Sequence, residues 1–307
     1  MTQTTAMTKR IVSGILLLDK AQGLSSHTAL SRVKRLYMSD TLDSKKAGHT
    51  GTLDPMATGL LPVCLGQATK FTQFGLDADK GYQATICLGK QTDTADQDGT
   101  VIATQDVPMF NQEQLDNIAT ALTGEQLQIP PMYSALKKDG QKLYELARQG
   151  VEVERTARPI VIHALTLQKL SDNEICLTAC CSKGTYVRTL GETVAQKLGT
   201  LGHLTALRRT QTGGFDIAQA ISEQALADLI LQERLNALLP IDAMISHIPI
   251  LTVDNGEADR LKLGQRLNVK DRLTADVQGM VRLYHDDVFI GLGELALTGR
   301  LQPKKLI

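Results

Sequence analysis

The sequence predicts a mixed α/β fold of the α+β type, with a large domain followed by a small β-rich one. Segments with strand periodicity alternate with segments of helical periodicity, and neither an internal repeat nor a low-complexity tract interrupts them. Near Leu239-Pro240 the pattern changes to short strands and turns. The 307 residues, of which 42% are hydrophobic and 21% charged, suffice for two globular cores. We therefore place the large domain at residues 1–246 and the small domain at 247–307.

The first predicted elements are a buried strand, an amphipathic helix and a half-buried strand. Residues 14–18 (GILLL) are continuously apolar, which is typical of a buried strand. Ser25 or Ser26 can begin the helix, because a hydroxyl there accepts hydrogen bonds from free backbone N–H groups. The apolar residues that share one face of this helix are Ala29, Leu30, Val33, Leu36 and Tyr37. Residues 82–88 (YQATICL) alternate with the period of a strand.

The rest of the chain continues the alternation. Its predicted elements are a helix over 111–123, an amphipathic basic helix within 130–158, strands over 160–170 and 174–181, a helix after Lys183-Gly184-Thr185 that ends at Gly199, and a hairpin over 281–293. The basic helix is expected because Leu143, Leu146 and Ala147 lie at helical spacing after two prolines.

The composition argues against a membrane protein, a disulfide-rich protein and a strongly basic one. Lys+Arg and Asp+Glu number 33 each and the pI is near 7.0, so any basic surface must come from local clustering. No apolar run approaches the roughly 18 residues of a membrane span, and the N-terminal MTQTTAMTKRIV lacks the apolar core of a secretory signal. The five cysteines include no CxxC pair, which favours buried reduced thiols. We therefore expect a cytoplasmic protein without a membrane partner.

Two short motifs resemble ligand-binding loops but lack the residues that the ligands require. TADQDG (94–99) is similar to half of a calcium loop, yet Thr94 and Gln105 stand where Asp and Glu are needed. GLGELA (291–296) matches a dinucleotide fingerprint in its glycines, but no βαβ unit follows it. The six histidines have no metal-binding spacing. The sequence therefore predicts neither a metal nor a cofactor.

One glycine-rich stretch, GHTGTLDPMATG (48–59), presents an aspartate. Its glycines permit backbone conformations that other residues avoid, and Pro55 restricts the conformation of the preceding Asp54. A rigid loop of this kind suits a catalytic carboxylate. An Asp-Pro dipeptide also begins ordinary turns, and for this motif alone that structural interpretation is the commoner one.

Several segments resemble, in the same order, the motifs of TruB-type tRNA pseudouridine synthases. They are GHTGTLDPMATGLLPVCLGQATKF, DKGYQATICLGKQTDTADQDG, KGTYVRTL and HLTALRR, with GILLLDKAQGLSS and IPPMYSALKKDGQKLYELARQG as similar flanking segments. Ala21 departs from the family pattern, which has proline directly after the lysine of the LDK motif, here Lys20. The resemblance implies a pseudouridine synthase catalytic domain with a central mixed β-sheet over 1–246. It also implies an RNA-clamping insertion over about 125–158 and a PUA-like RNA-binding domain over 247–307.

The resemblance further implies the reaction, which is isomerisation of uridine 55 in the T-arm of tRNA to pseudouridine without a cofactor. The N1–C1′ bond must break, the uracil must rotate while bound, and C5 must bond to C1′. Asp54 is implied as the catalytic residue, and its carboxylate can act as a nucleophile toward C1′ or C6 or as a base on the sugar. A nearby cation would keep it ionised, and Arg188 is the candidate, with a surface cation on a helix as the structural alternative.

Five further residues are implied as substrate-binding or supporting, each with a structural alternative. Tyr82 matches a tyrosine that stacks on the uracil, although strand aromatics also face protein cores. Tyr186 and Leu207 match residues that wall the base, with core packing as the alternative. His49 matches a contact to the RNA backbone or a neighbouring base, and otherwise braces the loop. Lys20 would support the site or contact phosphate, and otherwise is an exposed structural lysine.

The implied partner is the T-arm stem-loop of tRNA, bound by a monomer. The target uridine is stacked, so extruding it costs a few kcal/mol, which contacts to the RNA backbone must offset. The cations available for such contacts are Arg32, Lys34 and Arg35, Lys45 and Lys46, the basic residues of 137–158, Arg208 and Arg209, and Arg300, Lys304 and Lys305 near the C-terminal end.

Three other functions stay open at this point. An RNA-folding chaperone would keep the fold and the binding surface without chemistry, and the role is also compatible with an active enzyme. A synthase directed to ribosomal RNA by a guide complex is disfavoured, because the sequence has no long basic tails. A glycosidase would need a second carboxylate placed like Asp54, and the sequence shows none.

Overall fold

The computed structural model describes residues 8–270 and 278–307 and confirms the mixed α/β fold with a β-rich C-terminal part. The strands, in chain order, are β1 (Arg10–Ile11), β2 (Gly14–Lys20), β3 (Leu42–Asp43), β4 (Ala47–His49), β5 (Thr58–Leu65), β6 (Lys80–Leu88), β7 (Lys90–Thr92), β8 (Val101–Thr104), β9 (Gly124–Gln128), β10 (Lys137–Lys138), β11 (Gln141–Lys142), β12 (Arg158–Lys169), β13 (Glu174–Cys181), β14 (Gly202–Thr212), β15 (Phe215–Asp216), β16 (Ile221–Ser222), β17 (Ile250–Thr252), β18 (Leu267–Asn268), β19 (Gly279–His285), β20 (Val288–Leu295) and β21 (Arg300–Leu306).

The helices lie between these strands. They are α1 (Ser26–Leu36), α2 (Thr72–Asp77), α3 (Gln112–Leu122), α4 (Leu143–Arg148), α5 (Val187–Lys197), α6 (Glu223–Asp228), α7 (Leu231–Asn236) and α8 (Asn255–Lys262), with 3₁₀ turns at Gly66–Phe71, Ile217–Gln219 and Ala243–Ile245. The Ser25 side chain caps α1, as predicted, by accepting a hydrogen bond from the Thr28 N–H. None of the helices in the described ranges is long and apolar enough to cross a membrane.

A ten-stranded mixed sheet forms the centre of the large domain. Its main path runs β16-β2-β5-β14-β6-β13-β12-β9, with β4 beside β5 and β15 beside β14. The β5 and β14 strands are parallel, whereas β14, β6 and β13 pair in an antiparallel arrangement. Because β14 lies between β5 and β6 in the sheet, the loop that precedes β5 lies close to β6, although the two segments are separated in the sequence.

Helices α1, α3 and α5 contribute to the main hydrophobic core. Buried side chains of α5, including Leu190 and Val194, join those of β6 and β14 in one cluster. Burying apolar surface of this kind supplies the dominant stabilisation of the fold. The predicted inward face of α5 is therefore confirmed, and its first turn is fixed against the sheet.

The C-terminal part forms a separate five-stranded sheet in the order β17-β19-β20-β21-β18. Its core includes Leu261, Leu283, Leu295 and Leu301, all nearly inaccessible to solvent. The predicted hairpin over 281–293 is confirmed as the antiparallel pair β19 and β20.

The structure confirms one expectation about local features and corrects another. The helix expected around Leu143, Leu146 and Ala147 is confirmed as α4, and residues 137–142 before it form the hairpin β10–β11. The hairpin turns at Asp139 and Gly140, both with positive φ, a combination typical of two-residue turns. The cysteines are free, as expected, but only Cys64 and Cys181 are buried.

Candidate active site

The central sheet gathers most of the predicted site residues around one pocket of about 340 Å³. The predicted residues that line it are Asp54, Tyr82, Tyr186, Arg188 and Leu207. Three residues of the insertion, 134–136, also line it, whereas His49 and Lys20 do not. The pocket is within the size range of small-molecule sites, which suits a single nucleobase.

Hydrogen bonds on both sides of Asp54 fix its loop. The Ser26 hydroxyl accepts from the Leu53 N–H at 2.7 Å and lies 3.0 Å from the Leu53 carbonyl oxygen, to which it can donate. The Gly23 N–H donates to the Pro55 carbonyl at 2.8 Å. Because Ser26 is buried, water does not compete for its bonds. The carboxylate is therefore held in place before any substrate arrives.

Backbone geometry requires two of the three glycines in this loop. Gly51 and Gly59 have φ values of +143° and +104°, in the region that favours glycine. A Cβ on Gly59 would also collide with the backbone of Arg209 on β14. Gly48 has no positive φ, and a Cβ added there would make only an ordinary contact. The expectation that Gly48 needs a backbone conformation that other residues avoid is therefore wrong.

Arg188 lies beside Asp54, in the first turn of α5. Its side chain is only 4% exposed, and its Nε donates to Asp54 Oδ2 at 2.9 Å. Its Nη1 and Nη2 donate to the carbonyls of Thr94 and Tyr133 at 2.7 and 2.8 Å. These contacts fix the guanidinium plane against the carboxylate. The alternative that Arg188 is a surface cation is therefore wrong.

A second carboxylate, Asp96, shares this guanidinium. Its Oδ2 lies 3.7 Å from Arg188 Nε, and Oδ1 accepts from the Thr94 hydroxyl at 2.6 Å. Asp96 does not line the pocket, so it does not supply the second acid that a glycosidase needs beside Asp54. In the described ranges, no group of three or more His, Cys, Asp and Glu side chains is placed to hold a metal ion.

Burial and charge act in opposite directions on Asp54. Desolvation raises the pKa of its carboxyl above the ordinary 3.8, Arg188 opposes the rise most strongly, and Asp96 adds to it. The side chain still exposes 34% of its surface, so water reaches it in the free protein. A substrate that filled the pocket would displace this water, and Arg188 would then be more important for keeping Asp54 ionised.

Tyr82, Tyr186 and Leu207 form apolar walls around the carboxylate. Tyr82 and Leu207 are buried on the neighbouring strands β6 and β14. Tyr186 precedes α5, and both of its backbone groups hydrogen-bond to the Gln128 side chain, at 2.8 and 3.1 Å. Desolvation raises the pKa of Tyr82, so it is a neutral phenol at neutral pH. The walls can pack on a planar base, and Tyr82 also offers a hydroxyl.

His49 and Lys20 do not line the pocket. The Nδ1 of His49 accepts from the Gly51 N–H at 3.4 Å, which agrees with a bracing role. Desolvation lowers the pKa of His49, so the ring is neutral at neutral pH. Lys20 is buried, and its Nζ donates to the carbonyls of Ala21 and Leu24 at 3.0 and 2.8 Å. The alternative of an exposed lysine is therefore wrong, and burial lowers the pKa of Lys20 to about 8.

The cations expected to contact RNA differ in accessibility. Arg209 is buried and donates to the carbonyls of Leu60 and Gly51 at 2.7 and 3.1 Å, so it is not a surface cation. Arg208 forms a two-pronged ion pair with Asp19, and Arg32 pairs with Glu223. Lys45 and Lys46 are exposed and form no ion pair with any residue in the described ranges.

Lys80, Arg209 and Ser134 are among the pocket residues that were not predicted from the sequence as site residues. Lys80 is buried, and its Nζ donates to the carbonyls of Gly75 and Leu76 at 3.1 Å. It stands two residues before Tyr82, so strand periodicity could have placed both on one face. Arg209 was expected only to bind phosphate, and Ser134 only to belong to the insertion. No sequence signal distinguishes a pocket serine from a loop serine.

The sequence matches models of one protein family and many curated proteins. Residues 39–187 match the TruB family pseudouridylate synthase N-terminal domain, residues 188–246 the tRNA pseudouridylate synthase B C-terminal domain, and residues 249–307 the pseudouridine synthase II TruB C-terminal domain. The tRNA pseudouridine synthase B of Psychrobacter cryohalolentis is 50% identical, over 96% of this chain and 94% of that protein. The tRNA pseudouridine synthase B of Aromatoleum aromaticum is 48% identical, over 97% of this chain and 94% of that protein.

Solved structures share the fold at lower identity. A Cbf5-Nop10-Gar1 complex contains a chain with a TM-score of 0.70 and 23% identity, which covers 95% of this chain and 84% of that chain. An H/ACA RNP bound to a substrate RNA containing 2′-deoxyuridine contains a chain with a TM-score of 0.71 and 21% identity, which covers 96% of this chain and 85% of that chain. At this identity the likeness establishes the fold alone.

Proposed function

The chain belongs to the TruB family of pseudouridylate synthases, and from this premise we propose that it isomerises uridine 55 in the T-arm of tRNA to pseudouridine. The observation that carries the proposal is the ion pair of Asp54 and Arg188 in a pocket walled by Tyr82, Tyr186 and Leu207. One carboxylate in a pocket of this size suits a reaction in which a base detaches and reattaches. We propose that the protein acts as a monomer in the cytoplasm.

The reaction rearranges bonds without an oxidant or reductant. The target nucleotide first leaves the stacked T-loop and enters the pocket, as enzymes that act on bases require. The N1–C1′ bond then breaks, the uracil turns within the pocket, and C5 bonds to C1′. C5 loses its proton and N1 gains one, so the product is an isomer of the substrate. The pocket must hold the free base throughout, or the base would be lost.

Asp54 is the group that starts this sequence. Its ionised carboxylate can attack C1′ or C6, or remove a proton from the sugar, and each route needs the charge that Arg188 stabilises. The fixed loop keeps the carboxylate aligned while the base moves. Arg188, whose other nitrogens are bound to backbone carbonyls, stays in place during the same step.

Replacing Tyr82 separates stacking from proton transfer. In Tyr82→Leu the ring that packs on the uracil and the hydroxyl near C5 are both removed, and we expect the rate to fall roughly a hundredfold or more with tRNA binding largely kept. Tyr82→Phe retains the ring and serves as the matched variant. Single-turnover rates and filter binding measure the two effects. If the Tyr82→Leu protein reacts at the wild-type rate, Tyr82 does not take part in the reaction.

The exposed lysines before β4 provide a test of RNA binding. In the double variant Lys45→Ala, Lys46→Ala we expect weaker tRNA binding. The slope of log K against log salt should become shallower by roughly 0.7 to 0.9 for each phosphate that the variant no longer neutralises. The matched control removes Lys90 and Lys197, which are also exposed and do not line the pocket. A slope that is unchanged in the first variant would show that this pair does not bind phosphate.

Release of tritium from uridine labelled at C5 tests the proposed chemistry. Because C5 must lose its hydrogen when it bonds to C1′, the purified protein should release tritium from a labelled, unmodified tRNA transcript. The reaction is run without added metal or nucleotide. A protein that binds this transcript tightly but releases no tritium would contradict the proposed reaction on this RNA.

A further inference from the structure

The pocket contains a buried hydroxyl without a partner. Ser134 lines the pocket and is only 5% exposed, and its Oγ makes no hydrogen bond to any described residue. Buried polar atoms in native proteins are nearly always paired, so an exception in a pocket indicates that a ligand supplies the partner. We propose that Ser134 Oγ hydrogen-bonds to an exocyclic carbonyl of the flipped uracil. This inference rests on the proposed function and adds a base-positioning contact to it.

The backbone around Ser134 is fixed relative to the catalytic pair. The Ser134 N–H donates to the Met132 carbonyl at 2.9 Å, and its carbonyl accepts from the Tyr144 N–H at 3.1 Å. The neighbouring Tyr133 carbonyl accepts from Arg188 Nη2 at 2.8 Å. The insertion is therefore tied to the guanidinium that also contacts Asp54, and the hydroxyl has a defined position in the pocket.

Other polar groups of the wall already have protein partners. Arg188 and Arg209 each donate to two backbone carbonyls, and Lys80 Nζ is surrounded by carbonyl oxygens. Tyr186 is close enough that Ser134 opposes the rise in its pKa caused by desolvation, but the two hydroxyls do not meet hydrogen-bond geometry. The Ser134 hydroxyl is thus available to a ligand.

The chemistry of the rotation explains why a hydroxyl suits this position. Turning uracil by half a turn about the line through N3 and C6 exchanges N1 with C5, and it also exchanges O2 with O4. A donor placed at one of these carbonyls before rotation therefore meets the other one afterwards. A serine hydroxyl turns freely about its Cβ–Oγ bond, so it can follow small differences between the two positions. The same contact can hold the base in both orientations.

Ser134→Ala tests the contact, with Thr212→Val as the matched control. Thr212 is also buried with an unpaired hydroxyl, but it does not line the pocket. Removing an unpaired hydroxyl should leave either protein as stable as the wild type or more so. We expect Ser134→Ala to slow single-turnover tritium release about tenfold, the effect of removing one hydrogen bond, and Thr212→Val to leave it unchanged. A lower melting temperature for Ser134→Ala would indicate a structural role and overturn the inference.

Transcripts with 2-thiouridine or 4-thiouridine at the target position identify the atom that is bound. Sulfur is a weaker acceptor than oxygen, so at least one thio substitution should slow the wild type and have a smaller effect on Ser134→Ala. Equal effects of both substitutions on the two proteins would overturn the inference. If the wild type is active and Ser134→Ala reacts at the same rate, the inference is also overturned, but the proposed function stands. An inactive wild type would contradict the proposed function itself.

Discussion

Asp54→Asn is expected to abolish pseudouridine formation while tRNA binding stays within a few-fold of the wild type. Asparagine preserves the shape of the side chain but has neither the charge nor the basicity that each of the three possible roles requires. The rate should fall at least about a thousandfold, since positioned proton transfer alone contributes roughly 10² to 10⁴. Single-turnover tritium release and filter binding on the same preparation measure the two quantities.

The matched control for this variant is Asp259→Asn on α8. Asp259 is exposed in the small domain, and its partner within the described ranges is Lys262 on the same helix, so the same chemical change there should affect neither quantity. An Asp54→Asn protein that retains even a tenth of the wild-type rate would show that the carboxylate is dispensable. Loss of binding in parallel with the rate would instead indicate that the loop had changed its conformation.

Arg188→Gln should lower the rate and change its dependence on pH. Because Arg188 is the strongest influence holding down the pKa of Asp54, that pKa rises further when the guanidinium is removed. The ionised form, which the reaction needs, then forms only at higher pH. We expect the acid limb of the rate–pH profile to move upward and part of the activity to return as the pH is raised. A profile with an unmoved acid limb would show that Arg188 does not control the ionisation of Asp54.

The same variant should also be less stable than the wild type. Arg188 is buried, so removing its guanidinium should cost up to about 3–5 kcal/mol in the free energy of unfolding, because the buried Asp96 and the one-third exposed Asp54 lose their cationic partner. Asp54 then binds a proton more readily in the folded state than in the unfolded state, so the destabilisation should shrink as the pH falls. Arg208→Gln is the control, since its pair with Asp19 is partly exposed and should cost about 0–1 kcal/mol. Equal destabilisation of both variants would show that the Asp54–Arg188 pair is no stronger than an exposed one.

The local elements of the fold were largely predictable from the sequence. The apolar run at 14–18, the Ser25 cap and the alternation at 82–88 agree with their tertiary surroundings, so local rules sufficed there. The insertion shows where a competing signal was missed. Asp139-Gly140 favours a two-residue hairpin, and the helix could begin only after it, at Leu143.

Burial of charged residues was not predictable. Exposure was one of the alternatives for Lys20, and Arg209 was counted among the cations available to RNA, because such side chains are almost never buried without partners. Their partners are backbone carbonyls, which every residue possesses and no sequence pattern reveals. The contact of Asp96 with Arg188 likewise depends on the tertiary fold, since the two residues are distant in sequence. The family motifs therefore led to Asp54 and Arg188, whereas the groups that fix them required the structure.

The most direct measurement is a map of pseudouridine along an unmodified tRNA transcript after incubation with the purified protein, with Asp54→Asn as the control. We expect one modified position, uridine 55, that is present with the wild type and missing with the variant. Modification at other positions only, or the same modification by Asp54→Asn, would contradict the proposed function. Tight binding without any modification would also contradict it, and would favour an RNA-folding chaperone or a different RNA substrate.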